Sequence, residues 1–342
     1  GWCSGMDHVV KREASECLSG PLYDLLISNF AAGQLVLGAA SAAWETQREH
    51  PEGIPHHIQA FFEASDARPP EQGGGTVAVG AAALTGTELS CRLALFGEWS
   101  SKATDVLVEN LETVHGSAPM ALHSVTGPEL ACANFAASHT VATARKARQG
   151  LSIVAMQLES TARVRIAAAG EMVIADANDS ALLQVAAQWK LDFETEALRR
   201  PPTEPNAFEE SRYFIRGLAD SRSLFFWRSS AGEPVCMVAT PRKVGQALVS
   251  ISLVFTPKEA RGQGFATSLV SSVCDFCLKT YARVTLFADV GDPGKSLVRF
   301  YESLGFDHRG QVTQLLFEEA ERGDSRRTGS TDTAAGCKGG DE

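Results

Sequence analysis

Strand-like and helix-like hydrophobic patterns follow one another in the second half of the chain. Residues 247–255 are a β-rich apolar run, whereas residues 265–280 place apolar side chains on one face at helical spacing. A second strand is predicted over residues 284–290 and a second helix over residues 297–303, which Gly305 closes in the position of a left-handed cap. The pattern therefore predicts strand, helix, strand and helix in succession, with a glycine-bearing loop after the first strand.

The rest of the chain has a similar mixture of patterns. Two β-rich runs, 76–84 and 90–95, flank a Thr-Gly-Thr turn and predict a hairpin, and residues 223–239 predict another around Ser-Ala-Gly-Glu. Strands and helices mixed in this way indicate an α/β or α+β fold in which helices flank a sheet. The other predicted elements are strands over residues 120–125, 151–158 and 163–168 and helices over residues 101–114, 129–139 and 179–193.

The length of 342 residues predicts two domains, because one domain commonly takes roughly 100 to 200 residues. We place them at residues 1–160 and 161–320. Residues 321–342 are polar and glycine-rich without apolar periodicity, so they are predicted to be a disordered tail. The hydrophobic fraction of 44% is that of a globular protein and excludes collagen-like and disordered classes for the chain as a whole.

The formal net charge is -10, from 31 Lys and Arg against 41 Asp and Glu, so no general attraction to nucleic acid or to an anionic membrane is expected. Basic residues are nevertheless concentrated between residues 241 and 283, where six Lys or Arg stand against Glu259 and Asp275. This local excess of positive charge is compatible with an anion site.

The use of cysteine bears on location and on metal binding. The chain has eight cysteines, and its first residues lack the charged and apolar regions of a signal peptide, so a reducing, cytoplasmic location is predicted. Cys274 and Cys277 form a CxxC pair, but no second pair with suitable spacing exists, so no metal site is predicted. We expect both thiols to pack on a helix and the protein to be a monomer or a homodimer.

The segment from residue 249 to residue 269 carries the clearest chemical signal. A strand leads into the loop Arg-Gly-Gln-Gly-Phe-Ala at residues 261–266, which opens directly into an amphipathic helix. Its small residues allow backbone N–H groups to approach a ligand, and the helix N-terminus adds unsatisfied donors and a positive dipole end. Such a site suits a pyrophosphate. The loop is neither a Walker loop nor a complete GxGxxG fingerprint, which disfavours ATP and NAD.

This loop resembles the motif Arg/Gln-x-x-Gly-x-Gly/Ala of the GNAT superfamily of acyl-CoA-dependent N-acyltransferases, with Arg261, Gly264 and Ala266 in the matching positions. Residues 286–306, LFADVGDPGKSLVRFYESLGF, are similar to the family's second cofactor-side strand and to the helix that bears its tyrosine. The resemblance extends over residues 163–318. It implies two tandem GNAT-like domains, each a mixed, mostly antiparallel sheet flanked by helices, of which the first is degenerate and the second catalytic.

The resemblance also implies a role for each matching residue. Backbone groups of Leu253, Val254 and Phe255 would hold the pantetheine arm, and the N–H of Val254 would stabilise the oxyanion. Tyr301 would protonate the departing thiolate as general acid. The implied cosubstrate is acetyl-CoA, without a metal, and the acceptor is a primary amine of a small molecule or amino acid. The residues that would cradle the pyrophosphate are Arg261, Gly262, Gln263, Gly264, Phe265, Ala266 and Thr267.

Two features leave alternatives open. Family members commonly place Asn seven residues before the tyrosine, where this chain has Gly294, and the general base is not evident among the candidates Asp289, Glu209 and Glu210. A glycine-type N-acyltransferase that uses longer acyl-CoAs is the alternative enzyme, and a non-catalytic acyl-CoA-binding protein is the alternative outside enzymes. In the first half, residues 96–101 hold one glycine and an acidic residue in place of a glycine loop, so no cofactor is expected there.

Overall fold

The computed structural model describes residues 8–28, 30–49, 57–67, 76–87, 90–114, 121–160, 168–199, 201–202, 205–291 and 294–318, and the structural statements below concern these residues. The strands are β1 (His8–Arg12), β2 (His57–Ala67), β3 (Thr76–Thr87), β4 (Ser90–Gly97), β5 (Leu122–Gly127), β6 (Ala147–Leu158), β7 (Glu171–Ile174), β8 (Leu224–Arg228), β9 (Pro234–Val244), β10 (Leu248–Phe255), β11 (Val284–Asp289) and β12 (Asp307–Phe317).

The helices of the described residues are α1 (Ala14–Cys17), α2 (Gly20–Ser28), α3 (Phe30–Glu49), α4 (Ser101–Val114), α5 (Glu129–Thr143), α6 (Ser180–Glu196), α7 (Ala207–Asp220), α8 (Phe265–Leu278) and α9 (Gly294–Ser303). A short 3-10 helix, Lys258–Ala260, follows β10. None of these described helices combines the length and the apolarity needed to cross a membrane.

The described strands form one sheet whose two halves are built alike. Its order is β1-β2-β3-β4-β5-β12-β6-β11-β10-β9-β8-β7. In the first half β1 to β4 are antiparallel and β5 runs parallel to β4. In the second half β7 to β10 are antiparallel and β11 runs parallel to β10. Helices occupy equivalent places along both halves of the chain, with α4 and α8 connecting the parallel pairs.

The last strands of the two halves are exchanged. Strand β6 of the first half pairs with β11, and β12 of the second half pairs with β5. The two exchanged strands also pair with each other, from Asp307 and Gln157 to Phe317 and Ala147. The sheet is therefore continuous across the domain boundary that the sequence predicts at residue 160, because each half completes the other.

Helices cover both faces of the sheet and bury separate apolar clusters. In the first half, α4 and α5 pack on one face around Leu107 and Phe135, and α1 to α3 pack on the other around Leu37. In the second half, α8 and α9 cover one face and α6 and α7 the other. Val244 and Leu248 of the second half belong to the cluster around α3. Helix α3 is therefore shared by both halves.

Most predicted elements agree with the described ones. The helix predicted over residues 101–114 has the observed bounds, and both predicted hairpins are present as β3–β4 and β8–β9. The turn predicted at residues 85–87 is wrong, because these residues pair with β4 as the end of β3. Gly305 has φ +96, the backbone that its predicted cap requires. The strand predicted over residues 163–168 falls almost entirely outside the described residues, and the tail at 321–342 falls wholly outside them. Sequence reasoning missed α1 to α3, α7, β1, β2, β7 and β12.

Candidate active site

Strands β10 and β11 separate in the middle of the second half. In the described strands they pair at Val249 with Val284 and at Ser250 with Thr285, and not beyond. Along its other edge, β11 continues to pair with β6 as far as Asp289. An opening therefore lies between the two parallel strands after Ser250. Backbone groups along such an opening can pair with an extended ligand as they would with an added strand.

A β-bulge lies at this opening. Between Ser252 and Phe255 the register of β10 shifts against β9, and Leu253 adopts a left-handed backbone with φ +49. That conformation costs a residue with a side chain about 1 kcal/mol or more, so the surrounding packing must hold it. Leu253 and Phe255 are anchored in the cluster under α6 and α7, while Val254 packs towards α8 and α9. The predicted pantetheine and oxyanion residues thus lie in the bulge.

The glycine loop joins the 3-10 helix to α8. Gly262 and Gly264 have φ +76 and +81, a backbone region in which glycine avoids the strain of a side chain. Gly264 is the N-cap of α8 and offers no side chain to satisfy the first N–H groups of the helix. Those donors and the positive end of the helix dipole can therefore serve an anion.

The other predicted loop residues surround this helix start. The side-chain amide of Gln263 donates to the carbonyl oxygen of Glu259 at 3.3 Å, which holds the loop against the 3-10 helix. Phe265 and Ala266 pack on the apolar cluster under α8 and α9. Thr267 follows them in the first turn of α8. The loop is thus held by the 3-10 helix and by the apolar cluster, while its glycines and first-turn N–H groups form its outer surface.

Arg261 has partners within the protein. Its guanidinium donates to a carboxylate oxygen of Glu196 at 2.8 Å and to the carbonyl oxygen of Thr256 at 2.8 Å. It also lies over the ring of Phe255, 5.8 Å from the ring centre. The hydrogen bond from Arg261 lowers the pKa of Glu196 below its usual value. Arg261 fastens the glycine loop to the end of α6 in this structure, and a phosphate contact by its side chain stays a prediction.

Tyr301 is a buried phenol in the apolar cluster under α8 and α9. It lies on α9, which packs on β11, and it shares this cluster with Cys236 on β9 and Cys274 on α8. Burial, and then these two thiols, raise the pKa of Tyr301, which keeps the phenol protonated at neutral pH. No described residue hydrogen-bonds to the hydroxyl. Tyr301 is therefore a donor beside the opening without an acceptor in the described part of the chain.

Of the three candidate carboxylates, Asp289 lies at the opening. It ends β11, forms a 3.6 Å ion pair with Arg199 and accepts a hydrogen bond from the Gly291 N–H at 2.9 Å. Glu209 and Glu210 lie exposed on α7. Glu209 lines a pocket of about 700 Å³ between the start of α6 and α7, to which no residue of β10, β11 or the glycine loop contributes. The structure therefore brings Asp289, and neither glutamate, to the end of β11 beside the opening.

Gln34 is a site residue that sequence reasoning missed. It lies on α3 in the first half, is fully buried, and accepts hydrogen bonds from the hydroxyls of Ser250 at 2.6 Å and Thr285 at 3.2 Å. These two hydroxyls belong to the last residue pair before β10 and β11 separate. The first half of the chain thus holds the point from which the opening begins. No local motif marks Gln34, because its partners are 216 and 251 residues away.

Comparisons with known proteins support the same assignment. Residues 188–306, which include the opening, the glycine loop and Tyr301, match the acetyltransferase (GNAT) family. A Drosophila protein of known structure covers 92% of this chain and 99% of its own length with a TM-score of 0.56 at 14% identity. A tandem GNAT protein from the clavulanic acid biosynthesis pathway, solved without acetyl-CoA, covers 90% of this chain and 97% of its own length with a TM-score of 0.53 at 13% identity. No curated protein matched the chain.

The family match and the structural likeness agree with each other. Residues 188–306 match the GNAT acetyltransferase family, and 90% of the chain shares the fold of a tandem GNAT protein. The predictions of an acyltransferase, and of two tandem GNAT-like halves with mostly antiparallel strands flanked by helices, are therefore confirmed.

Proposed function

We propose that this acyltransferase moves an acetyl group from acetyl-CoA directly to a primary amine of a small molecule or an amino acid. The observation that carries the proposal is that one place combines the strand opening, the uncapped start of α8 and the Tyr301 phenol. A long thioester that ends in a pyrophosphate needs all three: a groove for its arm, donors for its phosphates and an acid for its sulfur.

Each part of acetyl-CoA has a counterpart among these features. The pantetheine arm would lie along residues 253–255 of β10, where backbone groups face the opening. The pyrophosphate would accept hydrogen bonds from the N–H groups of the loop and of the first turn of α8, residues 261–267. The ion pair of Arg261 with Glu196 would keep this loop in place before binding. A surface loop without a ligand to bind would not need such an ion pair.

The transfer itself would proceed without a covalent enzyme intermediate. The amine nitrogen attacks the thioester carbon, the C–N bond forms, and negative charge moves to the carbonyl oxygen, where the Val254 N–H would stabilise it. The C–S bond then breaks, and Tyr301 would donate to the departing thiolate. The nitrogen releases its extra proton to water, with Asp289 as the nearest candidate acceptor. Tyr301 regains a proton from water, so that atoms and charge balance with an acetylated amine and CoA as products.

The ion pair at the opening supports a small acceptor that carries charge. Asp289 ends β11 beside the opening proposed for the thioester, and its carboxylate can attract a protonated amine. Arg199, 3.6 Å from it and 60% exposed, can pair with a carboxylate of the same acceptor. An amino acid carries both groups close together. This pair therefore favours an amino acid or a related zwitterion over a long peptide.

A thiol-release assay tests the proposal. The full chain is incubated with acetyl-CoA or longer acyl-CoAs and a panel of amines, amino acids and a peptide amine, with an amine-free control for hydrolysis. We expect acetyl-CoA turnover that depends on a small amine or an amino acid. Preferential turnover of a longer acyl-CoA with glycine would instead identify the glycine-type alternative. Binding of acetyl-CoA without thiol release across the panel would contradict the proposal and favour the non-catalytic alternative.

A further inference from the structure

A second basic site lies between the two halves of the chain, away from the glycine loop. Arg242 is on β9 in register with Ser250. Its aliphatic stem crosses α3 at Gly38, where an added Cβ would lie 3.0 Å from the Arg242 Cδ. Gly38 is one helical turn from Gln34, so Arg242 and the Gln34 bridge to Ser250 lie side by side under the same helix. A glycine at this point of α3 is what allows the arginine to pass.

Arg92 approaches the same place from the first half. It lies on β4, two residues from Ala94 and four from Phe96, both of which pack on the cluster around α3. Because side chains alternate along a strand, Arg92 points to that same face. Val244, two residues after Arg242 on β9, belongs to the same cluster. Helix α3 therefore brings an arginine from each half to one junction.

The two guanidinium groups lack a counter-charge in the described residues. No carboxylate of this part of the chain forms an ion pair with Arg242 or Arg92. Burial, and then the charge of Arg92, lower the pKa of Arg242. Arginine nevertheless keeps its proton under ordinary conditions, so the positive charge stays at the junction. A partly buried Arg242 beside the like charge of the exposed Arg92 is unfavourable unless an anion joins them.

We infer that Arg242 and Arg92 form a binding site for a phosphate or carboxylate group at the junction of the two halves. A planar guanidinium can donate two parallel hydrogen bonds to such a group, and two of them can clamp it from both sides. The residues of this site are not those of the glycine loop, so it does not depend on the proposed acetyl-CoA site. A bound anion would hold α3, and with it Gln34, against Ser250 and Thr285 at the start of the opening.

Binding of inorganic phosphate tests the inference. Thermal unfolding and calorimetry of the full chain are measured with phosphate, with succinate and with sodium chloride at equal ionic strength, each in the wild type, Arg242→Met and Arg92→Met. We expect phosphate or succinate, but not chloride, to raise the Tm of the wild type. Either substitution should weaken anion binding about tenfold to a hundredfold, the value of losing one charge-assisted contact. The anion that raises the Tm, phosphate or succinate, shows whether the site binds a phosphate or a carboxylate group.

One further variant and one further comparison make the outcome decisive. Gly264→Val should leave this anion binding unchanged. Loss of phosphate binding in Gly264→Val would show that phosphate had bound at the glycine loop, which overturns the inference. In anion-free buffer Arg242→Met should unfold at a temperature no lower than the wild type, because it removes an unpaired charge. Strong destabilisation of Arg242→Met with or without anion would assign Arg242 a packing role instead. Arg92 is exposed, so Arg92→Met reports on binding even if Arg242→Met fails to fold.

Discussion

At Tyr301, the hydroxyl of a largely buried tyrosine, which has no acceptor among the described residues, predicts a measurable share of catalysis. Tyr301→Phe keeps the ring contacts with Phe300 and Phe306 and removes the donor. We expect turnover at saturating substrates to fall while acetyl-CoA affinity changes little, since the contact to the thiolate strengthens as the C–S bond breaks. General acid catalysis is commonly worth about 100-fold or more, and we expect about 100-fold here. Steady-state kinetics and a binding titration measure the two effects.

The raised pKa of Tyr301 also predicts how turnover depends on pH. The unperturbed pKa of a tyrosine is about 10, and burial raises the pKa of Tyr301 above that value. The phenol therefore stays protonated as pH rises, and ionisation of Tyr301 should cause no loss of turnover between neutral pH and pH of about 9. Tyr213→Phe, on an exposed tyrosine, is the matched control and should have wild-type kinetics. Wild-type turnover in Tyr301→Phe, with chemistry rate-limiting, would remove this residue from the mechanism.

At Gly264, backbone conformation and ligand contact coincide. Valine at φ +81 would strain the backbone and place a side chain beside the first N–H groups of α8. We expect Gly264→Val to weaken CoA binding at least about tenfold and to cost about 1 to 2 kcal/mol of stability. Gly245→Val is the control, because Gly245 also has positive φ, at +50, in the turn between β9 and β10. Equal CoA affinity in the two variants would show that the loop does not hold the pyrophosphate.

At the level of elements, the exchange of β6 and β12 depends on Arg145. This residue is 7% exposed in the link between α5 and β6 and donates to the carbonyl oxygens of Leu122, at the start of β5, and of Glu318, just after β12. We expect Arg145→Leu to lower the free energy of unfolding by about 3 kcal/mol, because it leaves buried carbonyl groups unsatisfied. Chemical denaturation measures the loss. The exposed Arg148, three residues on, provides the control, and an equal loss in Arg148→Leu would contradict a specific role for Arg145.

Periodicity predicted most of the second-half elements because their patterns are local. The loop at residues 261–267 was recognisable for the same reason, since one contiguous segment supplies the strand end, the glycines and the helix start. The partners of these elements were not predictable, because they come from distant segments: Glu196 is 65 residues from Arg261, and Gln34 is 216 residues from Ser250. The strand exchange is non-local in the same way, because β12 pairs with β5, which lies almost 200 residues earlier in the chain (Gln314 with Thr126, 188 residues apart).

Across the whole molecule, the two halves share an order of elements but differ at the equivalent helix start. In the first half, the Ser100 hydroxyl accepts a hydrogen bond from the Ala103 N–H at 3.1 Å, so α4 is capped by its own chain. Trp99 beside it is buried and packs into the cluster of α4 and α5. A Cβ on Gly127 of β5 would lie 2.7 Å from the carbonyl oxygen of Leu95 on β4, so these parallel strands stay close together. Among the described residues of the first half, the helix start equivalent to that of α8 is therefore capped, and the parallel strands β4 and β5 are paired as far as Ala94 and Thr126.

This asymmetry predicts one CoA-binding site per chain. A pyrophosphate at the start of α4 would have to displace the Ser100 cap, and a pantetheine arm would have to part β4 from β5, whereas the second half needs neither change. Titration calorimetry of CoA into the full chain should therefore give a stoichiometry of one, and Gly264→Val should weaken that single event. Two binding events, or one event with unchanged affinity in Gly264→Val, would place a site in the first half. The Arg242→Met variant separates this measurement from the anion site at the junction, because it should leave the CoA stoichiometry at one.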